Sequence, residues 1–262
     1  MNNKSPLRYP GGKSRACKII EETINTTKSI NRYDTILSPF FGGGSFEFYL
    51  QNKYNMQIIA NDKFEPLFNF WSTVKYDKNN LVKTINQLKP VSKDQFAQYR
   101  KDVIDKNINS LLRAAYYFII NRCSFSGATL SGGFSKESSE KRFTQNSIDN
   151  INNLDLKNVI FENKDFLQFI GESKIALNTL LFLDPPYYLS NPKLYGDNGD
   201  LHEYFNHQQL ADILKKYKGW VLCYNDCEFI RKLYDNYDIF EVNWSYGMNT
   251  SKESSEIIIL NL

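Results

Sequence analysis

The sequence predicts an α/β protein with a mainly parallel, doubly wound sheet, an antiparallel edge strand and an inserted, mostly helical lobe. Short apolar runs alternate with helical periodicity along most of the 262 residues, which is typical of a parallel sheet covered on both faces. Two further runs close the chain with no helix between them, so we expect them to pair as an antiparallel hairpin. The alternation fails between the second and third strands, which marks the lobe.

The individual strands are predicted from apolar runs, of which the first three end in Gly, Asp or Asn turn residues. Five runs should form the parallel part of the sheet, and two should form the closing hairpin. The parallel runs are residues 34–40, 56–62, 158–166, 178–184 and 219–226, and the hairpin runs are 238–244 and 255–262.

The lobe is predicted from a stretch with helical spacing followed by one without periodicity. Residues 79–89, 93–104 and 108–122 have helical spacing, whereas residues 123–143 are rich in Ser, Gly and Phe and predict a loop or hairpin. We therefore expect one domain from residues 1–75 and 158–262, with residues 76–157 inserted into it.

Composition narrows the classes of function. Four cysteines and two histidines are too few and too scattered for a disulfide framework, and they predict reduced thiols and no metal site. No run is long enough to span a membrane and the amino terminus lacks an apolar signal segment, so a cytoplasmic location is expected, with a nuclear or viral setting left open.

Residues 76–157 hold 13 Lys/Arg and 8 Asp/Glu. Such a surplus fits a solvated surface or a face that binds a nucleic-acid backbone.

The stretch "FFGGGSF" follows the first strand and opens the next helix. Glycines in such a turn let backbone amides approach a ligand closely. The dinucleotide fingerprint is incomplete because Glu47 stands at its third glycine position, and no Gly-Lys-Ser/Thr of a phosphate loop follows. Gly42, Gly43 and Gly44 therefore favour a nucleoside ligand without a pyrophosphate, the alternative being an ordinary glycine-rich turn.

Two other positions belong to the same predicted edge of the sheet. Asp62 ends the second strand about twenty residues after the glycines, where a carboxylate can accept both ribose hydroxyls. In "LRYPGGKSR" the Pro-Gly-Gly turn places the ring of Tyr9 and the ammonium of Lys13 beside the end of the first strand. Lys13 is then a candidate cation for a carboxylate, unless this stretch is only a surface turn.

The stretch "FLDPPYYLS" carries the clearest chemistry. An uncharged strand delivers Asp184 to the carboxyl edge, where ligands of open parallel sheets bind. Pro185 and Pro186 lack donors and fix the backbone, so the Pro185 carbonyl and the Asp184 carboxylate can converge on one amino group as acceptors. Tyr187 can offer its face to a planar base. The alternative is a strand followed by a proline-rich turn.

In this order, "LRYPGGKSR", "SPFFGGGSF", "NDKFEPLFNFW" and "DPPYY" resemble the Dam-like, alpha-group DNA N6-adenine methyltransferases over about two thirds of the chain. The resemblance implies a Rossmann-like methyltransferase fold, S-adenosyl-L-methionine as methyl donor, and transfer to adenine N6 in double-stranded DNA. Residues 1–75 and 158–262 would be the catalytic domain, and residues 76–157 the target-recognition domain. A cognate restriction endonuclease is among the partners that the resemblance allows.

The resemblance also implies roles for individual residues, assigned by their positions in the matching motifs. Tyr9 and Lys13 would contact the methionine part of the donor, and Asp62 its ribose. Asp184, Pro185, Pro186 and Tyr187 would form the catalytic motif. The remaining donor contacts would be Phe40, Gly42 and Gly44 in the loop, and Asp165 and Phe166 at the donor's adenine.

On the DNA side, residues 121–134 match the family's recognition segment but depart from it at Ser135, so the recognised sequence stays open. Arg122 is the predicted DNA contact, to a base or a phosphate, with a helix-capping salt bridge as the alternative. Ser124 and Ser126 are further candidates, as is Lys252 at the tip of the closing hairpin. Residues 194–210 are predicted to form a mobile loop over a flipped base.

Three other functions share part of this pattern. An N4-cytosine DNA methyltransferase would use the same acceptors, because cytosine presents the same kind of conjugated amine. An RNA adenine methyltransferase would leave no distinguishing mark in the sequence. A catalytically silent DNA-binding module is disfavoured because the glycine turn, the ribose acid and the D-P-P-Y motif are all intact.

Overall fold

The protein is described by a computed structural model that covers residues 2–9, 11–188, 205–244 and 254–262. Its centre is a seven-stranded sheet with the strand order β3-β2-β1-β4-β5-β7-β6. The strands are β1 Thr35–Ser38, β2 Gln57–Asn61, β3 Val159–Glu162, β4 Thr179–Leu183, β5 Trp220–Asn225, β6 Asp238–Trp244 and β7 Ser254–Asn261.

Helices cover both faces of this sheet. Numbered in chain order within the described residues, they are α1 Cys17–Thr27, α2 Ser45–Tyr54, α3 Glu65–Tyr76, α4 Lys78–Gln87, α5 Lys93–Asp102, α6 Ser110–Cys123, α7 Lys136–Lys141, α8 Gln145–Asn152, α9 Phe166–Glu172, α10 His207–Leu214 and α11 Glu228–Leu233. None of the helices among these residues has both the length and the apolar character to cross a bilayer.

All seven predicted strands are confirmed, because each strand of the sheet overlaps its predicted run. In β4 all five residues are buried. Strands β1 to β5 run parallel. β7 runs antiparallel to both β5 and β6. The hairpin therefore forms the antiparallel edge of the sheet, with β6 as the edge strand and β7 between β5 and β6.

The sheet changes winding direction between β1 and β4. Successive strands run outward from β1 through β2 to β3, and from β4 to β5 on the other side. β1 pairs directly with β4, with Leu37 opposite Leu181. Ligands of open parallel sheets bind at such a switch point, beyond the carboxyl ends of the strands. The glycine turn after β1 and the D-P-P-Y motif after β4 are therefore adjacent.

The predicted inserted region holds five helices, α4 to α8, and no strand of the sheet. Its buried side chains, such as Leu81, Phe96 and Phe118, belong to the same apolar cluster as Ile36 and Ile58 of the sheet. A second cluster fills the opposite face of the sheet, against α9, α10 and α11. The inserted helices thus share one core with the sheet.

The aperiodic segment, residues 123–143, is a loop closed by a single bridge between Ser124 and Phe134. The sequence analysis missed the helix α7 at its end. Ser135 caps this helix by accepting the Ser138 N–H, and the six residues are too polar to show periodicity. Of the loop predicted over residues 194–210, residues 194–204 lie outside the described residues, whereas residues 207–210 form the start of α10, so the loop prediction is wrong there. The predicted role of Lys252 also lies outside the described residues.

A core substitution in the lobe tests whether lobe and sheet unfold together. Phe118 is fully buried and its ring lies parallel to that of Phe70, with 6.0 Å between centroids. Phe118→Ala should lower the free energy of unfolding by about 3–5 kcal/mol. In urea, circular dichroism and tryptophan fluorescence should still report one coincident transition. Ile104→Ala, at a side chain 44% exposed, should change stability by less than about 0.5 kcal/mol. Loss of helical signal before the fluorescence changes would contradict the shared core.

Candidate active site

The turn after β1 has a backbone conformation that requires glycine at two positions. Gly42 and Gly44 have φ values of 50° and 66°, which L side chains rarely adopt. A Cβ on Gly42 would lie 2.8 Å from the Tyr9 ring, and one on Gly44 2.3 Å from the Phe41 ring. The Gly42 carbonyl accepts a hydrogen bond from Trp71 Nε1 at 2.9 Å. The loop is therefore a fixed cradle whose one side is the ring of Tyr9.

Asp62 follows β2 and is bonded to the same loop. Its Oδ2 accepts the Gly42 N–H at 3.0 Å and its Oδ1 accepts the Phe64 N–H at 3.0 Å. Burial raises the pKa of the Asp62 carboxyl to about 6, although the N–H donors of Phe64 and Gly42 lower it. A carboxylate with both oxygens oriented by backbone donors keeps further lone pairs for hydroxyl groups.

Lys13 and Asp184 form an ion pair at the switch point. Lys13 Nζ lies 2.7 Å from Asp184 Oδ1 and also donates to the Gly11 carbonyl at 3.1 Å. The Lys13 side chain is 3% exposed and that of Asp184 is 22% exposed. Burial raises the pKa of Asp184, and the charge and hydrogen bond of Lys13 offset part of that rise. The carboxylate that Lys13 meets in this structure is therefore Asp184.

The residues after Asp184 are also fixed. Pro185 is buried and Pro186 is half-buried, and neither has an N–H group. The Tyr187 hydroxyl donates to Glu256 Oε2 at 2.5 Å, and Lys13 Nζ lies 5.1 Å from the centre of the Tyr187 ring. Asp184, Lys13 and Tyr187 thus form one contiguous group at the end of β4.

An aromatic cluster borders the other side of the edge. Phe40, Phe166 and Phe205 contact one another pairwise, with ring centroids 5.3 to 5.6 Å apart. Asp165 caps α9 by accepting the Leu167 N–H at 3.0 Å and pairs with Lys63 at 3.0 Å. Such rings can hold a planar base by stacking.

Glu47 is a buried acid near the ion pair. It lies in the first turn of α2, is 2% exposed and accepts the Ser38 hydroxyl at 2.6 Å. Burial raises its pKa to about 7. The Ser38 hydrogen bond lowers that pKa, Asp184 raises it and Lys13 lowers it. The charges of Glu47, Asp184 and Lys13 are therefore coupled.

The candidate DNA-contacting residues lie apart from this group, on α6 and the loop after it. The Arg122 guanidinium donates to the carbonyls of Arg142 at 2.7 Å and Pro6 at 3.2 Å, rather than to a carboxylate. Ser124 is fully buried and its hydroxyl donates to the Asn121 carbonyl, so its side chain has no access to DNA in this structure. Ser126 is half-buried with φ 57°.

The structure thus brings together the site residues predicted from "LRYPGGKSR", "FFGGGSF" and "DPPYY". It also shows side chains to which the sequence analysis gave no role. Glu256 could have been found from its position as a lone acid in the apolar run "SEIIILNL", and Arg8 from its place beside Tyr9. Arg142, Asn225 and Phe205 had no local signal in the sequence. Each makes its hydrogen bond or ring contact with a residue far away along the chain.

Residues 9–248 match the family model of the D12 class N6 adenine-specific DNA methyltransferases. The match spans well over half of the chain, so the chain belongs to this family, and its enzyme class is adenine-specific DNA methyltransferase. The resemblance found in the sequence is confirmed.

Among curated proteins, the type II methyltransferase M.MjaIII of Methanocaldococcus jannaschii is 25% identical over 267 residues, covering 92% of this chain and 91% of that protein. Among solved structures, the rRNA methyltransferase AviRa of Streptomyces viridochromogenes gives a TM-score of 0.38 at 12% identity, covering 96% of this chain and 85% of that one. This structural similarity is too low to establish a common fold.

The raised pKa of Glu47 predicts a pH-dependent stability. Burial raises the pKa of this carboxyl to about 7 in the folded protein, from its ordinary value of 4.5. The folded state therefore holds the proton more tightly, and the stability that this confers is present below pH 4.5 and lost as the pH rises through 7. Glu47→Gln, which keeps an acceptor for Ser38, should gain stability relative to wild type between pH 5 and pH 8. Urea unfolding at a series of pH values measures this difference, and a constant difference would contradict the buried, protonated acid.

Proposed function

We propose that this protein transfers a methyl group from S-adenosyl-L-methionine to N6 of an adenine that is flipped out of double-stranded DNA. The observation that carries the proposal is the position of Asp184 at the switch point, beside the glycine cradle. The Asp184 carboxylate is held by Lys13 at one oxygen, and Oδ2 has no protein partner among the described residues. Family membership supplies DNA as the substrate and adenine as the base.

The residues around the cradle fit the proposed donor, which supplies a methyl group activated by a sulfonium. Asp62 would accept the ribose hydroxyls, and the turn of Gly42 and Gly44, packed against the rings of Tyr9 and Phe41, would border the nucleoside. Phe40, Phe166 and the helix cap Asp165 would hold the adenine of the donor. Lys13 would hold the methionine carboxylate, which must then share the ammonium with Asp184.

At the acceptor side, the chain has to orient an amine whose lone pair is delocalised into the base. Asp184 and the Pro185 carbonyl would each accept one N–H of the amine, which favours a pyramidal nitrogen with a free lone pair. The N6–methyl bond then forms while the methyl–sulfur bond breaks, and the bonding electrons stay on sulfur. The nitrogen afterwards loses one proton, to Asp184 or to water.

Flipping removes the adenine from its stack at a cost of a few kcal/mol. The Tyr187 ring beside Asp184 would recover about 1–3 kcal/mol of this by stacking. Because the ring already contacts the Lys13 ammonium, the base would enter a preformed group of side chains.

The DNA surface is proposed to include a cluster of three arginines, Arg8, Arg122 and Arg142. Arg8 donates to the Ser124 carbonyl and the Ser138 hydroxyl. Burial, then the charges of Arg8 and Arg142, lower the pKa of Arg122 to about 10. No ion pair with a carboxylate forms at these arginines within the part of the chain that is described. Uncompensated guanidinium groups suit DNA phosphates.

Two side chains beside the cluster complete the proposed surface. Phe125 is 70% exposed, and an exposed ring can stack on a base or wedge between bases. Ser126 would line the surface, and Ser124 is left out because it is buried. We further propose residues 76–157 as the target-recognition domain. The type II methyltransferase relative suggests a restriction-modification role.

Nucleoside mass spectrometry of DNA treated with the protein and S-adenosyl-L-methionine tests the reaction. N6-methyladenine is the expected product, and N4-methylcytosine or unmodified DNA would refute the proposal. Methylation sequencing of DNA from expressing cells gives the sequence context.

Asp184→Ala should lower turnover by about a hundredfold or more, the scale of one preorganised polar group. Donor affinity in calorimetry should not fall, because the variant keeps every proposed donor contact and frees Lys13 from its ion pair with Asp184. The matched control Asp212→Ala, on α10 with a side chain 54% exposed, should leave turnover unchanged. Near-normal turnover of Asp184→Ala would exclude the assigned role.

Arg142→Ala should weaken DNA binding about equally for all sequences and reduce the slope of log K against log salt by about 1. Arg142 is suited to this test because its side chain is exposed. Lys18→Ala, an exposed cation on α1, is the control and should leave the slope unchanged. Equal slopes for Arg142→Ala and wild type would remove Arg142 from the DNA surface.

A further inference from the structure

We propose that Glu256 is a positioning residue, which fixes the plane of the Tyr187 ring by accepting the Tyr187 hydroxyl. The inference rests on the proposed function, because it concerns the ring on which the target adenine would stack. Its basis is the 2.5 Å hydrogen bond from the Tyr187 hydroxyl to Glu256 Oε2. Glu256 lies on β7, two strands away from the D-P-P-Y motif.

Glu256 occupies a costly position for a carboxylate. It is 1% exposed and is followed in β7 by Ile257, Ile258 and Ile259, all fully buried. A buried carboxyl group destabilises the fold unless donors compensate it. The phenol of Tyr187 is such a donor, and its 2.5 Å hydrogen bond to the carboxyl oxygen lies at the short end of the range for O–H···O bonds. A residue needed only to fill this part of the core would be apolar.

The hydrogen bond restricts the orientation of the Tyr187 ring from its hydroxyl end. Two prolines fix the chain before Tyr187, but its two side-chain torsions remain. The hydroxyl tether restricts both torsions. The ring then lies beside Lys13, with its centre 6.2 Å from that of Tyr224.

The next residue is held in the same way from β5. Asn225 Nδ2 donates to the Tyr188 carbonyl at 2.8 Å, and Asn225 is the register partner of Glu256 across the β5–β7 pair. Two neighbouring side chains on β5 and β7 therefore anchor the turn that leaves β4. The stacking surface is set by strands that carry none of the D-P-P-Y residues.

Loss of the hydrogen bond between Tyr187 and Glu256 should affect the binding of the flipped base and the turnover, but not donor binding. Glu256→Ala and Tyr187→Phe each remove the tether, and Tyr187→Phe keeps the stacking ring. Each should lower kcat/KM for DNA by roughly tenfold, since small misplacements at a reacting centre reduce rates strongly. The double variant should be no worse than the more impaired single variant. Glu256→Gln, which keeps an acceptor, should retain most activity.

A second readout follows the flipped base itself. The duplex carries 2-aminopurine at the methylated position that sequencing identifies. Loss of the tether should increase the long-lifetime, unstacked emission of the bound duplex in Glu256→Ala and in Tyr187→Phe alike. Calorimetry with S-adenosyl-L-methionine should give the wild-type affinity for every variant, which also checks that each has folded.

Tyr234→Phe is the matched control, because the Tyr234 hydroxyl is buried and has no hydrogen-bond partner among the described residues. It should behave as wild type in both readouts. The positioning role would be overturned if the losses in kcat/KM of the two single variants multiplied in the double variant. It would also be overturned if Tyr187→Phe behaved as wild type, and this second outcome can be measured even if Glu256→Ala fails to fold. A wild-type protein that methylates no DNA would instead refute the proposed function, before any variant is compared.

Discussion

The parallel pairing of β1 with β4 is the constraint on which the site depends. These strands are far apart in sequence, yet Thr35 lies opposite Thr179 and Leu37 opposite Leu181. The pairing places the switch point of the sheet between them, so the glycine turn and the D-P-P-Y motif leave the sheet side by side. Residues 180–183 of β4 are apolar and buried on both faces of the sheet, which fixes the position of Asp184 at the end of the strand.

The ion pair between Lys13 and Asp184 has two opposing effects. It offsets part of the rise in the Asp184 pKa that burial causes and fixes the orientation of the carboxyl group, but it also engages one of the two oxygens that could accept an amine. Because Lys13 holds Oδ1, the Asp184 carboxylate can accept an amine hydrogen bond at Oδ2 from a defined direction. The same cation would be shared with the proposed donor, so donor and acceptor sites are coupled through a single side chain.

Apolar runs were enough to predict the sheet. Polar helices and contacts between residues far apart in the sequence were harder to predict. The strands were predictable because each contains a short apolar run, whereas α7 has six polar residues and only its Ser135 cap as a signal. The position of β7 between β5 and β6 follows from no local pattern. At the site, Lys13 and Asp184 were each predictable from their motifs. Their mutual contact was not, because it depends on where the amino-terminal turn meets the end of β4.

The amino-terminal segment connects the parts that a DNA methyltransferase must hold together. Arg8 exchanges two backbone hydrogen bonds with the Asn121 side chain of α6, at 2.9 and 2.8 Å. Tyr9 lies against the glycine turn, and Lys13 reaches Asp184. Residues 8–13 thus link the proposed DNA surface, the proposed donor site and the proposed catalytic carboxylate. Because the lobe also shares its core with the sheet, DNA held by α6 would be positioned relative to Asp184 by packed structure rather than by a flexible linker.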